Sequence, residues 1–351
     1  MTRSIALVAL LLLASCTASG EPPDTPRTWL VWHDNDGVFA LDGDKPHRLG
    51  SYPVGEVAIA PDGATGAAVV SDNSLGTDAE LVVWSTNGTE RRVPCGACIG
   101  AVIAGDEVRT ADDEGNYIRR FNRWDGRFLG TVLAPPPRLE QQPVVAPQEV
   151  VAATPELTVL RYRAAEPTTS DALYAMDSGG SVRWEHAFAG ERTVLNFTVD
   201  PTGTVLASAS GWGEGCRDME SRPVLLDLAS GQVIPTPDLP VDPTVLSSVR
   251  DLSWNGPDLV VVSWVTARTD TTCVEDLPST VSELRGDQWH PGADTFTAQL
   301  RALPGGKLVH VSNPMNDLEI SDGGTTRALA GGASILTNLP SRTPASLAWP
   351  G

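Results

Sequence analysis

Helical periodicity, long apolar runs and lysine are all scarce in this chain of 351 residues. No stretch sustains apolar residues at helical spacing for long, which points away from helix-built folds. The opening apolar run, Ile5 to Ala14, is well short of the roughly 20 residues that span a bilayer. Lysine stands only at Lys45 and Lys307, so arginine supplies nearly all of the 25 basic residues. That bias, with abundant Ala, Gly, Pro and Val, reflects GC-rich bacterial coding and says nothing about activity. Positive charge is short as well: 44 acidic residues leave a net charge of -19. A polyanion repels phosphate backbones and anionic headgroups, which excludes nucleic-acid binding and purely electrostatic membrane docking. Paired metal-ligand spacing is missing among His33, His47, His186, His290 and His310. The segment His33-Asp34-Asn35-Asp36-Gly37 lacks the spacing of a calcium loop and reads as a hairpin turn. Ser208-Ala209-Ser210-Gly211 is not a nucleophile elbow, and no Ser/His/Asp ordering stands out.

What is present begins at the first residues. Arg3, a short apolar stretch and small residues before a cut describe a secretory signal. Leu13-Ala14-Ser15-Cys16 resembles the lipobox of bacterial lipoproteins. The resemblance implies a signal peptide over 1–15, cleavage after Ser15 and a diacylglyceryl group on Cys16. It places the mature protein on the extracytoplasmic face of a cell membrane, held through its N-terminal lipid. One acyl chain anchors marginally and several anchor stably. Residues 16–26, small, polar and proline-rich, read as a flexible lipidated tether.

From Arg27 onward, short apolar runs alternate with Gly, Pro, Asp and Asn, the signature of many short strands. The runs repeat. Val57-Ala58-Ile59-Ala60-Pro61-Asp62-Gly63 recurs as Phe197-Thr198-Val199-Asp200-Pro201-Thr202-Gly203, and more loosely at Leu252–Pro257 and Leu300–Gly306. Each ends in a Pro/Gly turn, and a second strand follows. A second unit, an apolar run before an Asp- and Gly-bearing turn, appears at Gly37–Gly43, Leu81–Gly88, Ala172–Trp184 and Val224–Val233. These units resemble the outer hairpins of WD-repeat-like and quinoprotein-like propeller blades, and the resemblance covers nearly all of 27–351. The fold it implies is an all-β, seven-bladed β-propeller of about 46 residues per blade. Thr28–Trp32, Val38–Leu41 and His47–Tyr52 form a blade lacking its first strand. Ala345–Trp349 is a first strand lacking its blade. The C-terminal strand is therefore expected to complete the N-terminal blade and hide two sheet edges.

With Cys16 set aside, Cys95, Cys98, Cys216 and Cys273 remain, an even number in an exported chain. Three pairings exist in principle. Cys95–Cys98 with Cys216–Cys273 is preferred, because the latter two fall in equivalent loops of neighbouring blades. A redox dithiol at Cys95-Gly96-Ala97-Cys98 would want a helix N-terminus, and Pro94 and a strand stand there instead. A Cys₄ zinc site would want a second close pair, which Cys216 and Cys273 do not make.

Aligning inner strands on their turns puts Glu56, Gly100, Gln142, Asn196, Asp251, Gln299 and Ala345 in one ring around the channel mouth. Oxygen donors converging on an axis suit a hard cation such as Ca²⁺. The Glu, Asn and Asp members are similar to metal sites in propeller lactonases. The competing reading is a polar lining whose members solvate one another. No catalytic residue and no organic cofactor is assigned. The leading expectation is a monomeric, non-catalytic envelope lipoprotein binding a protein or glycan partner. The alternative is a metal-assisted, lactonase-like hydrolase at the channel mouth.

Overall fold

The computed structural model describes residues 28–336 apart from 43–44, 62, 75, 86–88, 113–114, 135–148, 163–170, 189–192, 213–219, 241–244, 268–278, 296, 304–306, 313–314 and 323–324. The signal, the tether, Gln142, Cys216, Cys273 and Ala345–Trp349 lie outside the described residues.

Seven antiparallel sheets follow one another along the chain, each a meander whose first strand is innermost. Blade 2 has an interrupted inner strand, Tyr52–Pro53 and Ala58–Ile59, then Thr65–Ser71, Ala79–Ser85 and Glu90–Gly96. Blade 3 runs Cys98–Ala104, Glu107–Asp112, Tyr117–Asn122 and Phe128–Leu133. Blade 4 runs Glu149–Ala153, Leu157–Tyr162, Ala172–Asp177 and Val182–Ala187. Blade 5 runs Thr193–Val199, Val205–Trp212, Glu220–Asp227 and Val233–Ile234. Blade 6 runs Val245–Asn255, Asp258–Ala267, Ser279–Arg285 and Gln288–Thr295. Blade 7 runs Thr297–Ala302, Leu308–Ser312, Leu318–Asp322 and Thr325–Ala330.

Blade 1 draws on both ends of the ring. Thr28–Asp34, Gly37–Asp42 and Lys45–Gly50 supply its outer three strands, and Ser334–Ile335 supplies the innermost. Trp32 pairs with Ile335 and His33 with Ser334. The closure expected from the sequence is present, but its strand lies upstream of Ala345–Trp349. The reason is the length of the crossover. Blade 7 finishes at Ala330, and the next apolar residues fall into the waiting position before the more conspicuous Trp349-Pro350-Gly351 turn is reached.

Strands inside a blade have both faces covered, so they read as continuous apolar runs whose alternate residues serve two interfaces. Thr65–Ser71 is buried throughout. Ala67 and Val69 pack toward blade 3, whereas Ala68 and Val70 pack toward blade 1. Val205–Trp212 divides likewise, Leu206 toward blade 4 and Ala207 and Ala209 toward blade 6. Every pair of successive blades shares such a cluster, including blades 7 and 1 through Trp32, Leu41, Val309 and Leu318. Among the described residues the blade 6–7 cluster is the thinnest, made of Val260, Val262, Val281 and Leu300.

Turn chemistry fixes the hairpins. Asp200 accepts hydrogen bonds from the amides of Thr204 at 2.7 Å and Val205 at 2.6 Å, closing the turn over Gly203 at φ 74°. Asp177 does the same for Gly179 and Ser181, both at 2.9 Å, and Asp227 for Ser230 at 2.8 Å. Aspartate is selected because its short carboxylate can satisfy turn amides that no strand reaches.

Candidate functional site: the channel mouth

The expected ring of polar residues sits at a β-bulge that recurs on the inner strands. Ladder register slips between Ile99 and Val102, Val150 and Ala152, Leu195 and Thr198, Val249 and Asp251, and Thr297 and Gln299. A bulge leaves a residue out of the ladder, and in blades 3 and 5 that residue has a left-handed backbone. Gly100 has φ 66° and Asn196 has φ 54°. Glycine and asparagine are the residues that tolerate this conformation, so backbone geometry accounts for both identities.

The polar side chains at or next to these bulges reach sideways to the next blade. Asn196 Nδ2 donates to the Arg250 carbonyl at 2.9 Å, joining blades 5 and 6. Asp251 Oδ2 accepts from the Leu300 amide at 3.0 Å and from the Arg301 guanidinium, joining blades 6 and 7. Gln299 Oε1 accepts from the Ile335 amide at 2.7 Å, and its Nε2 donates to the Ile335 carbonyl at 3.1 Å, joining blades 7 and 1. Blade 3 needs no side chain for this: the amides of Gly100 and Ala101 donate to the carbonyls of Val54 and Glu56 at 2.7 and 2.8 Å. Glycine at 100 answers the left-handed backbone and not crowding, since a Cβ there would come no nearer than 3.4 Å to Glu56 N. A Cβ on its neighbour Gly55 would meet Gly100 N at 2.6 Å.

Blade 4 departs from the sequence alignment. Its inner strand is Glu149–Ala153, so the ring position falls to Val150 with Glu149 beside it. Two similar apolar runs precede prolines, Val144-Val145-Ala146-Pro147 and Val150-Val151-Ala152-Ala153-Thr154-Pro155. The second is the strand because Leu157–Tyr162 follows at hairpin distance and pairs with it. Gln142 therefore does not belong to that strand.

Four further charged residues share the mouth: Glu149, Arg161, Asp171 and Arg301. Arg161 bonds Asp171 Oδ2 at 2.8 Å and Glu149 Oε2 at 3.4 Å, and it lies 5.7 Å over the Phe197 ring of blade 5. Arg301 and Asp251 are each buried in their pairing. A sequence signal existed for these arginines. Each interrupts an apolar strand, Val159-Leu160-Arg161-Tyr162 and Leu300-Arg301-Ala302-Leu303, where burial of a charge demands a partner.

Glu56 completes the mouth. Burial pushes its carboxyl up to about 7, the Glu149 charge pushes the same way, and Arg161 and Arg301 pull it down. Blade 2 borders neither blade 4 nor blade 7, so a side chain that feels both must project toward the common axis. At the mouth two guanidiniums meet four carboxylates, one of which, Glu56, is pushed toward its neutral form. A hard cation wants six to eight free oxygens. Here Asp251 and Gln299 oxygens are engaged by amides, and two guanidiniums occupy the electrostatic position a cation would take. Among the described residues no group of three or more His, Cys, Asp or Glu is arranged to hold a metal ion.

Of the cysteines, Cys95 and Cys98 form a disulfide with Cα atoms 5.6 Å apart. It lies on the crossover from the last strand of blade 2 to the first of blade 3, with both residues buried. Thr110 Oγ1 donates to Cys98 Sγ at 3.2 Å, and Arg119 donates to the Cys95 carbonyl.

Seven four-stranded meanders closed by a strand from the far end of the chain define a seven-bladed β-propeller. No protein-family model and no curated protein sequence matches this chain. Solved structures do: 922 chains resemble it, a spread too wide for the fold to select a function. Hydrazine synthase of Kuenenia stuttgartiensis is 14% identical, with a TM-score of 0.50 and coverage of 79% of each chain. The β-propeller domain of the Trilobed protease from Pyrococcus furiosus is 11% identical, with a TM-score of 0.50, covering 84% of this chain and 90% of that one. That domain is described as having an open velcro topology; here Ser334–Ile335 pairs with blade 1.

Proposed function

We propose that this chain is a lipid-anchored, extracytoplasmic binding platform that presents a closed propeller to an envelope protein or glycan and performs no chemistry itself. The observation that carries the reading is the use made of the mouth's polar groups. Asn196, Asp251 and Gln299 spend their side chains on bonds between blades, so the ring is a rigid frame and not a set of waiting ligands. The lipobox Leu13-Ala14-Ser15-Cys16 supports anchoring at Cys16, and Cys16–Pro26 supplies the tether ahead of the first strand at Thr28. Fractionation and intact mass test the anchor: a diacylglyceryl-bearing Cys16 is expected in the membrane, and Cys16→Ser should release the protein. In-membrane crosslinking followed by capture tests the platform, with one partner expected at near-stoichiometric yield.

One observation favours the hydrolase reading. Glu56, held at about 7 on the channel axis, has the protonation balance of a general acid–base group at neutral pH. Metal analysis of chelator-free protein separates the two. Stoichiometric Ca²⁺ lost together with lactone hydrolysis in Glu56→Gln and Asp251→Asn would establish the enzyme and sink the platform.

A further inference from the structure

Exposed large hydrophobic side chains gather on one hairpin. Of the eight among the described residues, Tyr117, Trp124, Phe128, Leu129 and Leu133 belong to the last two strands of blade 3 and the turn between them. Phe128 is 53% exposed and Leu133 60%. The outermost strand of a blade meets water along one edge, and proteins protect such edges with charge or proline. Lys45–Gly50, Glu90–Gly96, Val182–Ala187, Gln288–Thr295 and Thr325–Ala330 each carry one or both, and Val233–Ile234 stops at Pro235. Phe128-Leu129-Gly130-Thr131-Val132-Leu133 carries neither.

Pairing lays these side chains along the edge. Tyr117 stands directly opposite Leu133. Phe128 stands opposite the buried Phe121 with ring centroids 5.5 Å apart, so one side of Phe128 covers the blade 2–3 cluster and the other meets solvent. Trp124 is held at the turn: Asn122 Oδ1 accepts from its amide at 2.9 Å, and the Arg123 guanidinium lies 4.2 Å over its ring. Five strand steps of about 3.3 Å set Phe128 and Leu133 roughly 16 Å apart. The hairpin Tyr117–Leu133 holds four arginines against one carboxylate, Asp125, in a chain of net charge -19. Glu107 pairs with Arg120 and Asp106 with Arg123, so no excess of negative charge is left there to repel headgroups.

The chain enters the ring on the same side. Thr28 pairs with Asp42, which pairs in turn with Lys45 across the third turn of blade 1. The Arg123–Arg127 turn is the corresponding turn of blade 3, so Thr28 and Trp124 lie on one rim. Twelve residue steps separate Cys16 from Thr28, about 40 Å at full extension. A lipid on Cys16 keeps the hairpin within reach of the bilayer, where a tethered contact forms at high effective concentration.

We propose that the outer hairpin of blade 3, Tyr117–Leu133, is a membrane-docking edge whose apolar side chains seat in the headgroup–acyl boundary of the bilayer that holds the lipid. The inference rests on the anchored-platform reading and adds the platform's orientation. Trp124 and Tyr117 suit that boundary because each joins an apolar ring to a polar tip, and Phe128, Leu129 and Leu133 supply apolar burial. A second copy on this edge would bring together two chains of net charge -19, whereas the lipid surface is already tied to the chain. Docked edge-on, the ring leaves the channel mouth open to a partner.

The test places the full chain, expressed with its own signal and labelled with fluorotryptophan, on phosphatidylcholine/phosphatidylglycerol vesicles carrying doxyl-labelled acyl chains. W124F and W289F assign two fluorine lines, one on the proposed edge and one on blade 6. The acyl label is expected to broaden the Trp124 line at least threefold more than the Trp289 line, and a water-soluble gadolinium chelate to do the reverse. L129S/L133S changes two exposed side chains that belong to no core cluster, so it keeps the fold and should restore chelate access to Trp124. A Trp124 line as open to the chelate as that of Trp289, or one shielded equally in L129S/L133S, would overturn the edge. So would shielding without vesicles together with a doubled mass, which would make a second copy the occupant. Membrane retention through Cys16 with Trp124 open would refute the docking edge and leave the anchor standing. Trp124 shielded on vesicles in a chain that carries no lipid would keep the edge and sink the anchor.

Discussion

Gln299 grips Ile335 at both ends of one peptide unit, accepting from its amide at 2.7 Å and donating to its carbonyl at 3.1 Å. Ile335 is half of the two-residue strand that closes the ring, so this single amide side chain does the work of a longer ladder. Ser334 Oγ donates to the same Gln299 oxygen at 3.2 Å.

Gln299→Ala should therefore lower stability by about 1–3 kcal/mol, the range for losing two buried hydrogen bonds net of solvation. Gln299→Glu keeps the acceptor and loses the donor, and should fall between. Urea unfolding measures the change, and hydrogen exchange at Ile335 locates it. An unchanged midpoint in Gln299→Ala would show that the closure is held elsewhere.

Glu56 predicts a pH slope. Its carboxyl is raised from 4.5 to about 7 in the folded chain, so the folded state holds a proton that the unfolded state releases earlier. The associated stability is full below about pH 4.5 and is lost as pH rises through 7. At 1.36 kcal/mol per pKa unit the loss is at most about 3 kcal/mol. Thermal unfolding of Glu56→Gln should lack this component across that window. Parallel curves for the variant and the wild type would remove Glu56 from the account.

The Cys95–Cys98 bridge closes a loop of only four residues, so the chain-entropy estimate is about 2 kcal/mol. A C95S/C98S variant should lose about that much while remaining folded, because Val93, Ala101 and Ile103 keep the blade 2–3 cluster in place. Equal midpoints with and without reductant in the wild type would show that the bridge adds nothing.

The ring was legible in the sequence where turn chemistry and strand period agreed. Pro61-Asp62-Gly63 and Pro201-Thr202-Gly203 mark inner hairpins that the structure contains, and Thr28–Trp32 reads correctly as a second strand awaiting a first. Legibility failed where a proline-ended apolar run had a rival nearby. The inner strands of blades 4 and 1 are Glu149–Ala153 and Ser334–Ile335, whereas the sequence offers Gln142 and Ala345, both outside the described residues, because one strand alone cannot tell which candidate its partner will reach. The mouth was read at half depth. Polar identity at Asn196, Asp251 and Gln299 is visible in the sequence, but their bonding across to the adjoining blade is not, since the ladder slips around them depend on pairing with a strand further along. Arg161 stands on a second strand and Arg301 two residues past the ring position, so neither falls on an alignment of inner strands at that position.

Among the described residues, the interface with the fewest apolar contacts also carries a buried ion pair. Between blades 6 and 7, the described residues that make apolar contact are Val260, Val262, Val281 and Leu300, and the Asp251–Arg301 pair lies beside them. Both side chains are about 5% exposed, so removing either one takes a counter-charge from the other in a buried site. Arg301→Met should cost about 3–5 kcal/mol, the range for breaking a buried pair. Asp251→Asn should cost less, because an amide oxygen still accepts from Leu300 N and only the charge is lost. The two changes together should recover much of the Arg301→Met loss, since neither then leaves an unpaired charge. Strict additivity in this double-mutant cycle, read from urea midpoints, would mean that the pair does not couple blades 6 and 7 and that the valine cluster alone joins them.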